Sequence, residues 1–172
     1  MSEKLIFVSD VDVEQNVVAT YFLQSKTTLA DAAWNLAIGQ SVGNPNVRNE
    51  WETDDLFIKY SCKILHKKED LIKSSGVVNI AFPIINTDWN EDGISHLLCQ
   101  LMGGQMDIDN IVKCGVIDIE FPSHVEDIFL GPKFGIAGIR EYTKTYDQPL
   151  FGAIVKPKIG ITPETLLEMV KE

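Results

Sequence analysis

Two stretches of this chain carry the same helical spacing, and the segments around them limit the folds it can adopt. Leu29, Ala32, Ala33, Leu36 and Ala37 fall at i, i+3, i+4, i+7 and i+8. Ile94, Leu97, Leu98, Leu101 and Met102 repeat that spacing. Each set places one apolar stripe on one helix face. Val17 to Leu23 is β-branched and aromatic and reads as a strand. Leu56, Ile58, Tyr60, Cys62 and Ile64 alternate with Lys59, Ser61 and Lys63, which predicts a second, half-buried strand. Val78, Ile80 and Phe82 alternate up to Pro83. Ile117, Ile119 and Phe121 alternate with Asp118 and Glu120 up to Pro122. The order is β-α-β-β-α-β. One stripe per helix and one apolar face per strand predict an α+β fold, the ferredoxin-like sandwich: an antiparallel sheet with two helices on one face, over about residues 15–122.

The remaining segments follow from local chemistry. Residues 1–15 read as a loosely held arm. Thr27-Thr28 caps the first helix, and Gly39 opens a loop reaching about Asp55. Lys67 to Asp70 and Ser74-Ser75-Gly76 form a polar, hairpin-like return, and Gly103-Gly104 ends the second helix. Ser123 to Gln148 reads as a connector, with Ile136, Ile139 and Tyr142 at helical spacing. Phe151 to Val155 is an apolar run of strand length, and Lys156 and Lys158 follow it two apart, on one side of an extended chain. Thr162-Pro163-Glu164 then opens a helix with a cap, a proline at the first position and an acid in the first turn. Strand, lysine pair, loop and helix together are the opening of a βα repeat.

The charge narrows the partners. Twenty-five acids stand against 15 bases, a formal net charge of −10, and no Lys/Arg-rich run exists. Nucleic acid and acidic membranes are therefore not expected partners. Cys62, Cys99 and Cys114 are an odd number without a CxxC spacing and read as reduced, buried thiols of a cytoplasmic protein. The amino-terminal apolar run is too short for a signal peptide, and no 18-residue apolar stretch exists. His66, His96 and His124 are scattered, with no metal-ligand spacing. The lysine pair is the best catalytic candidate: burial lowers a lysine's pKa toward that of a base, and a second lysine serves as a point charge for a phosphate or enolate oxygen. Two lysines that merely cap a strand in solvent are the alternative.

Gly131-Pro132-Lys133-Phe134-Gly135-Ile136-x-Gly138-Ile139-Arg140, Tyr146-Asp147-x-Pro149-Leu150 and Ile154-Val155-Lys156-Pro157-Lys158-Ile159-Gly160 together resemble the large chain of RuBisCO and RuBisCO-like proteins. Asn79-Ile80-Ala81-Phe82-Pro83 and Asp118-Ile119-Glu120-Phe121-Pro122 extend the resemblance, which spans residues 16–172. It implies an amino-terminal ferredoxin-like domain with connector over 1–145. Residues 146–172 would be the first strand and helix of a TIM barrel that is otherwise missing from the chain. It also implies a magnesium cofactor in the full-length protein, bound by residues outside this chain, so that no metal is held here. Lys156 would take part in proton transfer during enolisation of a phosphorylated sugar. Lys158 would hold the substrate near its reacting oxygens.

The amino-terminal domain of true carboxylases lends residues to a neighbouring subunit through a loop reading Glu-x-Ser-Thr-Gly-Thr-Trp. The matching run here is Gly39-Gln40-Ser41-Val42-Gly43-Asn44-Pro45. The acid is Gly39, the threonine is Asn44 and the tryptophan is Pro45; Asn44 is the remaining substrate-binding candidate of this loop. The family asparagine after the second helix is Gly104. These four departures point away from carboxylation of ribulose bisphosphate and toward a RuBisCO-like protein. Its reaction would be enolisation, isomerisation or decarboxylation of another phosphorylated ketose, in a homodimer. A genuine carboxylase large chain is the alternative within the family. Outside enzymes, the alternative for these 172 residues is a non-catalytic folding or dimerisation module, because one barrel strand does not close a barrel.

Overall fold

The computed structural model describes residues 3–44, 46, 52–104, 107–128, 134–152 and 162–171. Within them the chain divides into two compact units, 1–130 and 131–172.

The first helix of the first unit, α1 (Leu29–Gly39), begins at the cap the sequence marks. Thr28 Oγ1 accepts from the Asp31 amide at 3.1 Å, and the Asp31 carboxylate accepts from the Thr28 amide at 3.4 Å. This reciprocal capping box satisfies two otherwise orphaned donors. The same Thr28 contact holds the Asp31 carboxyl below the usual carboxylate range.

Four strands, β1 (Asn16–Ser25), β2 (Lys63–Ile64), β3 (Ser75–Pro83) and β4 (Ile111–Glu120), form an antiparallel sheet of order β2-β3-β1-β4. This is the strand order of the expected sandwich. Val17, Ala19 and Tyr21 pair with Phe82, Ile80 and Val78, and all six side chains are buried. They share one core cluster with the stripe of α1 and with Leu97 and Leu101 of α3 (Gly93–Met102). On the other face, Phe22 pairs with Val77, and they are 40% and 49% exposed. Tyr21 joins the layers, donating its buried hydroxyl to the Leu101 carbonyl at 2.8 Å.

In the first unit the structure corrects four expectations. Residues 56–64 are not one strand. Asp54–Tyr60 is a helix, α2, and only Lys63–Ile64 joins the sheet. Thr53 caps α2 by accepting from the Leu56 amide at 3.3 Å, and Asp54 and Asp55 occupy its first turn. Phe57 is the buried residue there, while Ile58 is 56% exposed. The arm is not loose: Ile6 is fully buried, Phe7 stacks on Trp34 at 6.2 Å between ring centroids, and Phe7 bridges Ile64 in parallel. In β4, Ile117 does not share the core face with Ile119. A register shift against Thr20 and Tyr21 skips Ile117, which is 58% exposed. Finally, Cys62 is buried but Cys99 is exposed and Cys114 half-buried. A short helix, α4 (Val125–Ile128), closes the first unit's described part.

The second unit contains α5 (Gly135–Thr143), which bears the expected run of Ile136, Ile139 and Tyr142, and α6 (Pro163–Lys171). The turn after α5 is held by Arg140. Its Nη1 donates to the carbonyls of Thr145, Tyr146 and Gln148 at 2.8, 2.8 and 3.0 Å. Lys144, at φ 57°, takes the left-handed position that ends α5. Thr162 caps α6, its hydroxyl accepting from the Thr165 amide at 3.3 Å. Phe151 and Gly152 are not in a strand; the rest of the expected strand, 153–155, lies outside the described residues.

Candidate functional site

The carboxy-terminal end of α1 positions the loop that the sequence singles out. The Gln40 amide donates to the Leu36 carbonyl at 3.0 Å, and Ser41 and Gly43 donate to the Ile38 carbonyl at 3.1 and 3.3 Å. Ser41 then fastens the loop to the sheet. Its hydroxyl donates to the Ala37 carbonyl at 2.5 Å and accepts from the Cys62 amide at 3.1 Å. Burial pushes the Cys62 thiol up to about 12, so it has no nucleophilic role near neutral pH.

On this fixed backbone, the side chains differ from a charged site. Gly39 is exposed, and a Cβ built on it would meet nothing within 4 Å. The space for an acid exists and is unused. Asn44 is exposed and its carbonyl oxygen accepts from the Asn46 amide at 2.9 Å, a local turn contact. Gly43 lies against the carboxylate of Glu52, whose residue is only 8% exposed; a Cβ at Gly43 would lie 2.6 Å from Glu52 Oε1. Gly104, just past α3, lies under the side chain of Gln40. A Cβ there would lie 2.1 Å from Gln40 Nε2. Thus the structure brings Gln40 and Gly104 together. Gln40 and Glu52 were not singled out from sequence. Gln40 holds the variable position of the family loop, and Glu52 lies beyond it, so only spatial proximity marks them.

Lys156 and Lys158 lie outside the described residues. Among the described residues, no group of three His, Cys, Asp or Glu side chains is arranged to hold a metal ion. His66 Nε2 accepts from the Asn79 amide at 3.1 Å, His96 Nε2 lies 3.5 Å from Gln100 Nε2, and His124 Nδ1 lies 3.5 Å from Glu14. Half-buried Lys63 donates to the Phe57 carbonyl at 2.8 Å and to Ser61 Oγ at 2.6 Å, and burial lowers its pKa. It lines an open cleft of about 310 Å³ with Asp12, Asn16, Lys59 and Ile84.

Comparison with known proteins places this arrangement. The family model described as ribulose bisphosphate carboxylase large chain, N-terminal domain, matches residues 9–125. A 3-oxo-isoapionate-4-phosphate decarboxylase of Rhizobium etli is 28% identical over 172 residues, covering 91% of this chain and 40% of the relative. A ribulose bisphosphate carboxylase of Thermococcus kodakarensis is 28% identical over 137 residues, covering 80% of this chain and 30% of the relative. Among solved structures, a dimeric archaeal Rubisco from Hyperthermus butylicus matches with a TM-score of 0.57 at 27% identity, covering 93% of this chain and 37% of that one. An archaeal Rubisco matches in fold with a TM-score of 0.62 at 24% identity, covering 96% and 38%. The chain thus spans about 40% or less of the length of these relatives. With a family model covering most of its length and the strand order β2-β3-β1-β4 in place, the chain belongs to the ribulose bisphosphate carboxylase large chain, N-terminal domain, family.

Proposed function

We propose that this chain is the amino-terminal portion of a RuBisCO-like protein that enolises a phosphorylated ketose without fixing carbon dioxide. Residues 146–172 are the start of its barrel, and magnesium is held by residues outside this chain. The observation that carries the reading is the end of α1 facing the end of α3. Gly39 presents no carboxylate although the space beside it is open, and Gly104 carries no side chain. A carboxylase-type loop would place an acid and a carboxamide at these two positions. Overall identity does not separate the choices, since a decarboxylase and a carboxylase are both 28% identical to this chain. The loop residues favour the non-carboxylating reading.

In this reading Lys156 is the base that moves the proton next to the carbonyl. Lys158 and Asn44 hold the substrate. Dimeric and octameric enzymes among the structural relatives support assembly as a homodimer. No described helix is long and apolar enough to cross a membrane.

The test supplies the barrel-bearing protein with two probes, 3-oxo-isoapionate 4-phosphate and ribulose 1,5-bisphosphate. Solvent-proton exchange on a probe, with no incorporation of labelled carbon dioxide, is expected. Incorporation with ribulose bisphosphate overturns the reading in favour of a carboxylase. Lys156→Met is expected to abolish the exchange, and persisting exchange removes Lys156 as the base.

A further inference from the structure

We infer that Gln40 supplies, from the end of α1, the carboxamide that position 104 lacks, and that this amide is a substrate-binding group. The inference rests on the functional reading above and adds a residue to it. Gln40 Nε2 would lie 2.1 Å from a Cβ on Gly104, Cδ would lie 3.1 Å away and Oε1 3.3 Å. The glutamine amide therefore fills the volume that a side chain at 104 would begin to occupy. What fills it is chemically matched: the family asparagine and Gln40 both end in a carboxamide, with two donors and one acceptor oxygen. The exchange moves the attachment point from one element to another and brings the same kind of group beside position 104.

Two further observations favour a ligand role over simple filling. The backbone of Gln40 is held by its bond to Leu36, and the next residue is tied to both Ala37 and Cys62. The amide is thus delivered from a fixed base. It is half-buried, and no hydrogen bond holds it among the described residues. Solvent still reaches the amide, so a ligand oxygen can take the place of water on its donors. The occupant it suits is a hydroxyl or carbonyl oxygen of the phosphorylated ketose. The phosphate itself is better served by a cation such as Lys158. The exchange also explains how Gly104 is tolerated: any side chain there would have to displace the Gln40 amide.

The test measures binding of the same two probes by titration calorimetry, in the barrel-bearing protein. Gln40→Ala is expected to weaken binding about tenfold or more, and Gln40→Glu, which keeps the shape but loses the donor, to do the same. The double variant Gln40→Ala/Gly104→Asn returns the carboxamide to the other helix end and is expected to recover binding to within about threefold. Unchanged binding in Gln40→Ala or Gln40→Glu overturns the inference while leaving the functional reading intact. Loss in Gln40→Ala without recovery in the double variant overturns the exchange with position 104. Failure of the unaltered protein to bind either probe overturns the functional reading, and the inference with it.

Discussion

Helices α1 and α3 carry the same apolar spacing but stand in different surroundings. In α1, Leu29, Ala30, Ala32, Ala33, Leu36, Ala37 and Ile38 are all buried. In α3, only Gly93, Leu97 and Leu101 are, while Ile94, Leu98 and Met102 are 39–53% exposed. The difference lies in the neighbours. The sheet lines one side of α1. Phe7 stacks on Trp34 of the same helix, and Phe57 of α2 and Leu71 join the shared core cluster. For α3, Leu97 and Leu101 use the sheet contact, and the rest of the stripe has no comparable cover among the described residues. The two helix starts differ too. Thr28 caps α1 through a capping box, whereas Asp92, before α3, makes no side-chain capping bond. A stripe's spacing decides which face turns inward, and the number of layers around it decides how much of that face leaves water.

The comparison has a direct test. Leu36→Ala should cost about 2–5 kcal/mol in denaturant unfolding, because it leaves a hole in closed packing. Leu98→Ala should cost less than about 1 kcal/mol, because its site is already open to water. Equal losses at the two positions would break the distinction between the helices.

A smaller difference is expected at the caps. Thr28→Ala should cost about 1 kcal/mol. Asp92→Ala should stay within about 0.5 kcal/mol. A large loss at Asp92 in the same unfolding measurement would show that the start of α3 depends on a bond the capping geometry lacks.

The smallest effect sharpens the α1 side of the sheet, where β2 meets β3. His66 Nε2 accepts from the Asn79 amide, so that nitrogen must be unprotonated. Burial holds the His66 pKa below its usual 6.5, opposed by the nearby charge of Asp70. The folded state therefore binds fewer protons than the unfolded one. Its contribution is fully present above pH about 6.5 and is lost as pH falls from there through the lowered pKa. Unfolding midpoints across that range should decline in the unaltered protein and flatten in His66→Gln. An unchanged slope in the variant assigns the decline to other groups.

Much of the fold was legible from periodicity. The stripes of α1 and α3 and the alternation of β3 stand where their spacing puts them, and the strand order follows from the β-α-β-β-α-β sequence. The misreading at 56–64 arose where two signals compete. Leu56, Ile58, Tyr60, Cys62 and Ile64 alternate like a strand, but Thr53-Asp54-Asp55 is a helix start, and the start prevails through residue 60. β4 defeats the pattern differently. Its half-buried residues are Ile111, Cys114, Val116 and Ile119, spaced three, two and three apart, because its register shifts twice against β1. No strict alternation survives two such shifts. The candidate site was legible as a set of departures at Gly39, Asn44 and Gly104. Gln40 and Glu52 could not be read, because their significance is contact across the fold: 64 positions separate Gln40 from Gly104.

The shifts in β4 bear on how the sheet resists strand-by-strand growth at its edges. β2 and β4 are the two edges of the sheet, where unpaired amides and carbonyls invite a strand from another molecule. β4 breaks its pairing with β1 at two places, which twists the edge and spoils the flat template that fibril growth requires. β2 is two residues long, and its outer side is engaged by the arm: Ile64 donates to the Ile6 carbonyl at 2.8 Å and its own carbonyl accepts from Val8 at 3.0 Å. The irregularity that obscured β4 in the sequence thus interrupts the regular pairing template that a ten-residue edge strand would otherwise offer.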